Sequence, residues 1–175
     1  DLWDKDPDNV VDILERFGDK SRYSELLRYV NITDADKALD RAIALDEIDH
    51  TGSYGPAFWE YILVLKDFMK AKVEGNFEGN LHMYLNAPST KGHKCPSQRH
   101  RSNESESVQT NTKMRRERTF PVPKEVDPSG EVFMYSHFAP THRDQNAPRM
   151  YYYLDLENTK KAYIGYIGVH LTNTK

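Results

Sequence analysis

Residues 56–75 hold the one apolar pattern in this chain that leaves a single reading. Phe58, Ile62, Leu65 and Met69 recur at intervals of four, three and four, which is one face of an α-helix, and Trp59 and Leu63 widen that face. Pro56 suits a first helical turn. Lys66, Lys70 and Lys72 lie toward the far end, where the helix dipole favours cations, and Gly75 is placed to stop the helix. A helix this apolar is a core element, so the rest of the chain has to supply the layers that cover it.

The residues before it also read as helices. Asp6 followed by Pro7 is a capping signal, after which Val10, Val11, Leu14 and Phe17 recur at helical spacing up to Gly18. Ser21 is placed to cap a second short helix carrying Tyr23, Leu26, Leu27 and Val30. Thr33 with Asp36 resembles a capping arrangement for a third helix running to about Ile48, with Ala35, Leu39, Ala42 and Ile43 turned inward.

After Gly75 the pattern changes twice. Residues 86–118 are poor in apolar side chains and hold Pro88, Gly92 and Pro96, so they read as a long basic, flexible loop with at most a short helix near Glu104 to Val108. Glu131 to Phe138, Met150 to Leu154 and Ala162 to Ile167 then read as strands, and the segment Glu157 to Lys160 as the turn of a hairpin. Gly165 and Gly168 mark a bulge or a close backbone approach. The expected fold class is therefore α+β, with N-terminal helices packed on a small C-terminal antiparallel sheet. Its parts are an acidic helical region (1–85), the basic loop (86–118) and an antiparallel β region (119–175), sharing one core.

A chain of 175 residues buries enough surface to fold without staples. Cys95 is the only cysteine, so no intrachain disulfide forms, and a cytoplasmic setting is the expectation. No stretch approaches the roughly 18 to 20 apolar residues of a membrane helix, and no secretory leader is visible. The start at Asp1 reads as that of a fragment of a larger protein. Charge is unevenly spread: residues 1–80 carry 18 acids against 10 bases, and residues 81–175 carry 9 acids against 14 bases. The basic half is where a polyanion would bind, and the helical half offers an alternative surface for a protein partner.

Three sets of residues carry candidate chemistry. Lys91, Lys94, Arg99, Arg101, Lys113, Arg115, Arg116 and Arg118 form a basic run of the kind that phosphate backbones reward, which makes nucleic acid a candidate partner, the alternative being a solvated, flexible loop that binds nothing. His93, Cys95 and His100, with His82 nearby, lack the ligand number and spacing of a zinc site, so neither a metal nor another cofactor is expected. Glu104 and Glu106 are a weak acid–base pair, since residues two apart share a face only in a strand. In the strand region, His137, His142, Arg143, Arg149, Tyr151, Tyr153, Lys160, Lys161 and His170 gather on or near the predicted strands. Alternation puts Tyr151 and Tyr153 on one face and Tyr152 on the other.

The run from Arg149 to Leu156, with Tyr151, Tyr152 and Tyr153, followed by the run from Lys161 to Leu171, resembles the terminal hairpin of RelE-type bacterial toxins. Those are small α+β ribonucleases that cut messenger RNA on the ribosome. Residues 104–175 as a whole also resemble a C-terminal module of uncharacterised bacterial proteins. The toxin resemblance implies that Arg149 and the tyrosines occupy strand positions that contact RNA. It covers a small part of the chain, and the acidic helical half departs from that family.

Two functions follow as expectations. One is a non-enzymatic module of a larger bacterial protein that binds nucleic acid or a protein partner through the basic loop and the sheet face. The other is a metal-independent ribonuclease of the toxin type, with Arg149 as phosphate clamp, Tyr151 as stacking platform and His170 as general acid or base.

Overall fold

The computed structural model describes residues 1–140 and 144–172. The helix at the centre, α4 (Tyr54–Val73), buries Phe58, Ile62, Leu65 and Met69 almost completely, with Trp59 and Leu63 beside them. Asp49 caps its start by accepting from the backbone N–H groups of Ser53 and Tyr54. Gly75, at φ +73°, follows its last turn. Its cations are not all solvated as the dipole pattern implies. Lys66 is buried, with Nζ 3.1 Å from Asp67 Oδ1 and 3.8 Å from the centre of the Trp3 ring.

The other N-terminal helices form with shifted starts. Helix α1 (Val10–Gly18) is capped by Asn9, which accepts from Asp12 N, and not by Asp6. Asp46 also accepts from the N–H groups of Val10 and Val11, so α3 (Ala35–Ile48) supplies part of the α1 cap. Helix α2 (Ser24–Tyr29) begins after Tyr23, because Ser21 bonds back to Asp19 instead of capping. Helix α3 starts after Asp34, held at φ 55° without a side-chain cap. It buries Ala42 and Leu45, whereas Ala35, Leu39 and Ile43, expected to face inward, are exposed.

The α+β expectation holds, with a sheet of mixed direction. Strands β1 (Val30–Ile32), β2 (His100–Arg101), β5 (Ser136–Phe138), β6 (Arg149–Asp155) and β7 (Lys161–Gly168) form one sheet in the order β1-β7-β6-β5-β2. All pairs are antiparallel except β1 with β7, which is parallel because β1 comes from the helical half after α2. Strands β3 (Thr119–Pro121) and β4 (Glu131–Phe133) form a separate two-stranded sheet. The run Glu131 to Phe138, read as one strand, is therefore divided between two sheets.

One face of the larger sheet packs on the helices. Phe138, Met150, Tyr152 and Ile164 join Val10, Leu26, Leu45 and the α4 side chains in one core. The opposite face carries a smaller cluster of Phe120, Val122, Met134, Tyr151, Tyr163 and Tyr166. In β7, Tyr166 pairs with Tyr151 while Ile164 pairs with Tyr152, so Gly165 is the extra residue of a bulge. A Cβ there would stand 2.7 Å from Met134 Sδ and Phe120 Cβ, which is the close approach the glycine permits.

Residues 86–118 are more ordered than their composition implies. After the short helix α5 (Leu81–Leu85), the chain makes a turn at Ser97–Arg99 and enters β2. Helices α6 (Glu106–Thr110) and α7 (Thr112–Glu117) follow. Ser105 and Asn111 cap them, and each buries one apolar side chain, Val108 and Met114. No helix among the described residues is long and apolar enough to cross a membrane.

Candidate functional site

The register of the larger sheet sets one row of side chains across four strands. Arg101 of β2 pairs with His137 of β5, His137 with Tyr151 of β6, and Tyr151 with Tyr166 of β7. Directly paired residues share a face, and so do residues two apart on a strand, which adds Arg149 to the same side. The neighbouring row of His100, Phe138 and Met150 points the other way, into the main core.

Over this row lies a cleft of about 360 Å³, lined among others by Arg101, Arg118, His137, Arg149, Tyr151 and His170. The wall opposite the sheet is the segment that enters α6, with Asn103, Glu104, Ser105 and Ser107. The cleft thus joins two sets of residues far apart in the chain: Arg101 and Arg118 of the basic run, and Arg149, Tyr151 and His170 of the strand region.

Glu104 is the organising carboxylate. Its side chain is 8% exposed, with Oε2 2.8 Å from Arg118 Nε and Oε1 accepting from the Tyr151 hydroxyl at 3.0 Å. The Arg118 contact is an ion pair without hydrogen-bond alignment at Nε. The same guanidinium donates to the carbonyls of Met114 at 3.1 Å and Thr172 at 2.7 Å, so Arg118 ties α7 to the end of the chain's described part. It is a buried structural cation, not an open binding group.

His137 is neutral at physiological pH. Burial lowers its pKa to about 4, against a smaller opposing effect from the Tyr135 carbonyl. Nδ1 faces two acceptors, Tyr135 O at 3.0 Å and Glu104 Oε1 at 3.3 Å, so Nδ1 carries the proton and Nε2 the lone pair. The imidazole stacks on Tyr151, with ring centres 4.7 Å apart. Tyr151 is itself 2% exposed, its ring covered and its hydroxyl committed to Glu104. It therefore positions Glu104 and His137, and has no open face on which a base could stack. Burial, with the nearby Glu104 charge, also raises its pKa.

Arg101 and Arg149 are the open cations. Each uses Nη1 on backbone carbonyls, Gln98 and His100 for Arg101, Ala147 and Pro148 for Arg149. These bonds fix the guanidinium while leaving its other N–H groups without a protein acceptor among the described residues. Neither is within ion-pair distance of a carboxylate there. Burial pulls the Arg149 pKa down, which marks a charge that gains from an anionic partner. His170 lies at the rim, with its backbone N–H on Asn146 O.

The rest of the basic run is dispersed. Arg115 lies over the Phe133 ring and Arg116 pairs with Glu131 at 2.7 Å, both beside Lys113 on the exposed side of α7. Lys94 lies over the Tyr84 ring and bonds the Thr90 carbonyl, near exposed Lys91, while Arg99 is half-buried. Tyr153, Lys160 and Lys161 belong to the hairpin away from the cleft lining. His142 and Arg143 lie outside the described residues.

The histidine–cysteine set does not assemble. Cys95 is buried, and burial pushes its thiol up to about 12. His100 is buried on the core face, with Nε2 2.6 Å from the Tyr152 hydroxyl. His93 instead bonds Asp67 through Nδ1 at 2.6 Å. Among the described residues no group of three or more His, Cys, Asp or Glu is placed to hold a metal ion. Glu106 sits exposed on α6, apart from buried Glu104.

No family model, curated protein or solved structure matches this chain.

Proposed function

We propose that this chain is a phosphate-binding module that contacts single-stranded nucleic acid through the cleft between β6 and the entry to α6. The observation that carries this reading is the pair Arg101 and Arg149, fixed by backbone carbonyls and lacking a carboxylate partner among the described residues, on one face of the sheet. Guanidinium forks held in this way match phosphate oxygens with little entropy left to lose. The cleft volume lies near the lower end of the ~300–1,000 Å³ typical of small-ligand sites, a size that suits a single nucleotide or one unpaired strand. Fluorescence anisotropy with labelled single-stranded and duplex RNA and DNA at two salt concentrations tests it. Single-strand binding that weakens with salt agrees with the reading; equal or stronger duplex binding contradicts it.

A second reading, metal-independent RNA cleavage of the RelE toxin type, is favoured by neutral His137. Its Nε2 lone pair would accept the ribose 2′-hydroxyl proton as that oxygen bonds to phosphorus. His170 would donate a proton to the departing 5′-oxygen as the P–O bond breaks, and Arg149 would hold the phosphoryl oxygens. The base in this scheme is His137, a residue on the same face as Arg149 and Tyr151. RNA left intact after prolonged incubation, with and without ribosomes, removes this second reading and leaves the binding module.

A further inference from the structure

The charge left open in the cleft defines what kind of phosphate fits it best. Arg118 is neutralised by Glu104 at 2.8 Å and donates from Nη1 and Nη2 to two backbone carbonyls. Burial keeps His137 neutral. Arg101 and Arg149 therefore provide two positive charges with no carboxylate at ion-pair distance among the described residues, on the same sheet face with β5 between their strands. An internal phosphodiester carries one negative charge, whereas a phosphomonoester carries about −1.5 to −2 near neutral pH. The hydroxyls of Ser105 and Ser107 and the Asn103 amide on the opposite wall add uncharged donors for the further oxygens that a terminal phosphate presents.

We infer that the cleft takes a phosphomonoester dianion, with Arg101 and Arg149 as its two forks. The inference rests on the phosphate-binding reading and narrows it from nucleic-acid backbone to a terminal phosphate. Such a group occurs at the 5′ end of an oligonucleotide and on a free nucleoside monophosphate. Glu104 serves this selectivity, because its carboxylate removes the third charge that would otherwise favour polyanions generally.

The test uses the full chain and a labelled ten-nucleotide single strand, with either a 5′-phosphate or a 5′-hydroxyl, in an anisotropy titration. The 5′-phosphorylated strand is expected to bind about tenfold more tightly, equivalent to ~1.4 kcal/mol. That preference should vanish in Arg149→Ala and in Arg101→Ala, the latter an exposed residue whose loss leaves the fold intact. Adenosine monophosphate is the competitor. Displacement at concentrations near the strand's own Kd points to free nucleotides as the source, and displacement only far above it points to nucleic-acid ends; both support the monoester class. Equal binding of the two strands, weakened in both by Arg149→Ala, overturns the monoester inference while the cleft still binds phosphate. Binding that neither arginine variant alters overturns the cleft reading itself.

Discussion

Arg118 Nε and Glu104 Oε2 lie 2.8 Å apart, with side chains 2% and 8% exposed, and both residues line the cleft. Removing one member of a buried pair leaves the other charge without compensation, at a cost of about 3–5 kcal/mol. Arg118→Met also frees the carbonyls of Met114 and Thr172. It should lower unfolding free energy by about that much in urea titrations. Adding Glu104→Leu to Arg118→Met should recover part of the loss, and a double variant less stable than Arg118→Met alone would show that the pair is not coupled.

Glu104→Gln keeps an acceptor for the Tyr151 hydroxyl while removing the negative charge. Arg118 then adds to the field of Arg101 and Arg149. Affinity for a 5′-hydroxyl strand should rise several-fold, and the preference for a 5′-phosphate should shrink. Anisotropy with both strands reads this directly, and reduced affinity for both would assign Glu104 a role in holding ligand.

Two buried histidines make stability depend on pH. Burial lowers the pKa of both His100 and His137 to about 4, below the unfolded value of about 6.5. Between these values the unfolded chain binds more protons, so stability is complete above about pH 6.5 and is lost as pH falls toward 4. Each histidine should account for ~2 kcal/mol of destabilisation at pH 5 relative to pH 7.5. Urea titrations at the two pH values, with His137→Gln as comparison, measure it. A variant with the wild-type pH slope would remove His137 from the explanation.

Gly165 is the bulge residue that lets β7 pass beneath Phe120 and Met134. Gly165→Ala puts a methyl group 2.7 Å from both side chains, and overpacking of this kind costs ~1–3 kcal/mol. Thermal unfolding should show a lowered Tm, whereas Gly18→Ala, with nothing within 4 Å of the new methyl, should leave Tm within a few degrees.

The sheet face was legible in the sequence where it depends on local alternation. Tyr151 and Tyr153 turn one way and Tyr152 the other, and the hairpin of β6 and β7 lies where its turn residues put it. Helix α4 is legible for the same reason, since its period fixes its buried face. The partners of that face are not. Arg101 meets His137 through a pairing of strands separated by more than 30 residues, and no spacing encodes it. Glu104 looks like any surface acid until α6 and α7 fold it against Tyr151 and Arg118. Caps failed where a nearer or a distant side chain took the role: Asn9 and Asp46 in place of Asp6 at α1.

Phosphate is proposed to bind in the cleft and not on the exposed basic side of α7. The most direct measurement is the Kd for a 5′-phosphorylated single strand, by anisotropy at 50 and 200 mM salt. Arg101→Ala/Arg149→Ala is compared with Lys113→Ala/Arg116→Ala. Loss of two phosphate contacts should weaken binding by about 100-fold and flatten the salt dependence by ~1.4 in log–log slope in the first variant. The second should stay within about threefold of wild type. The reverse ranking would move the site to α7 and contradict the assignment of the cleft.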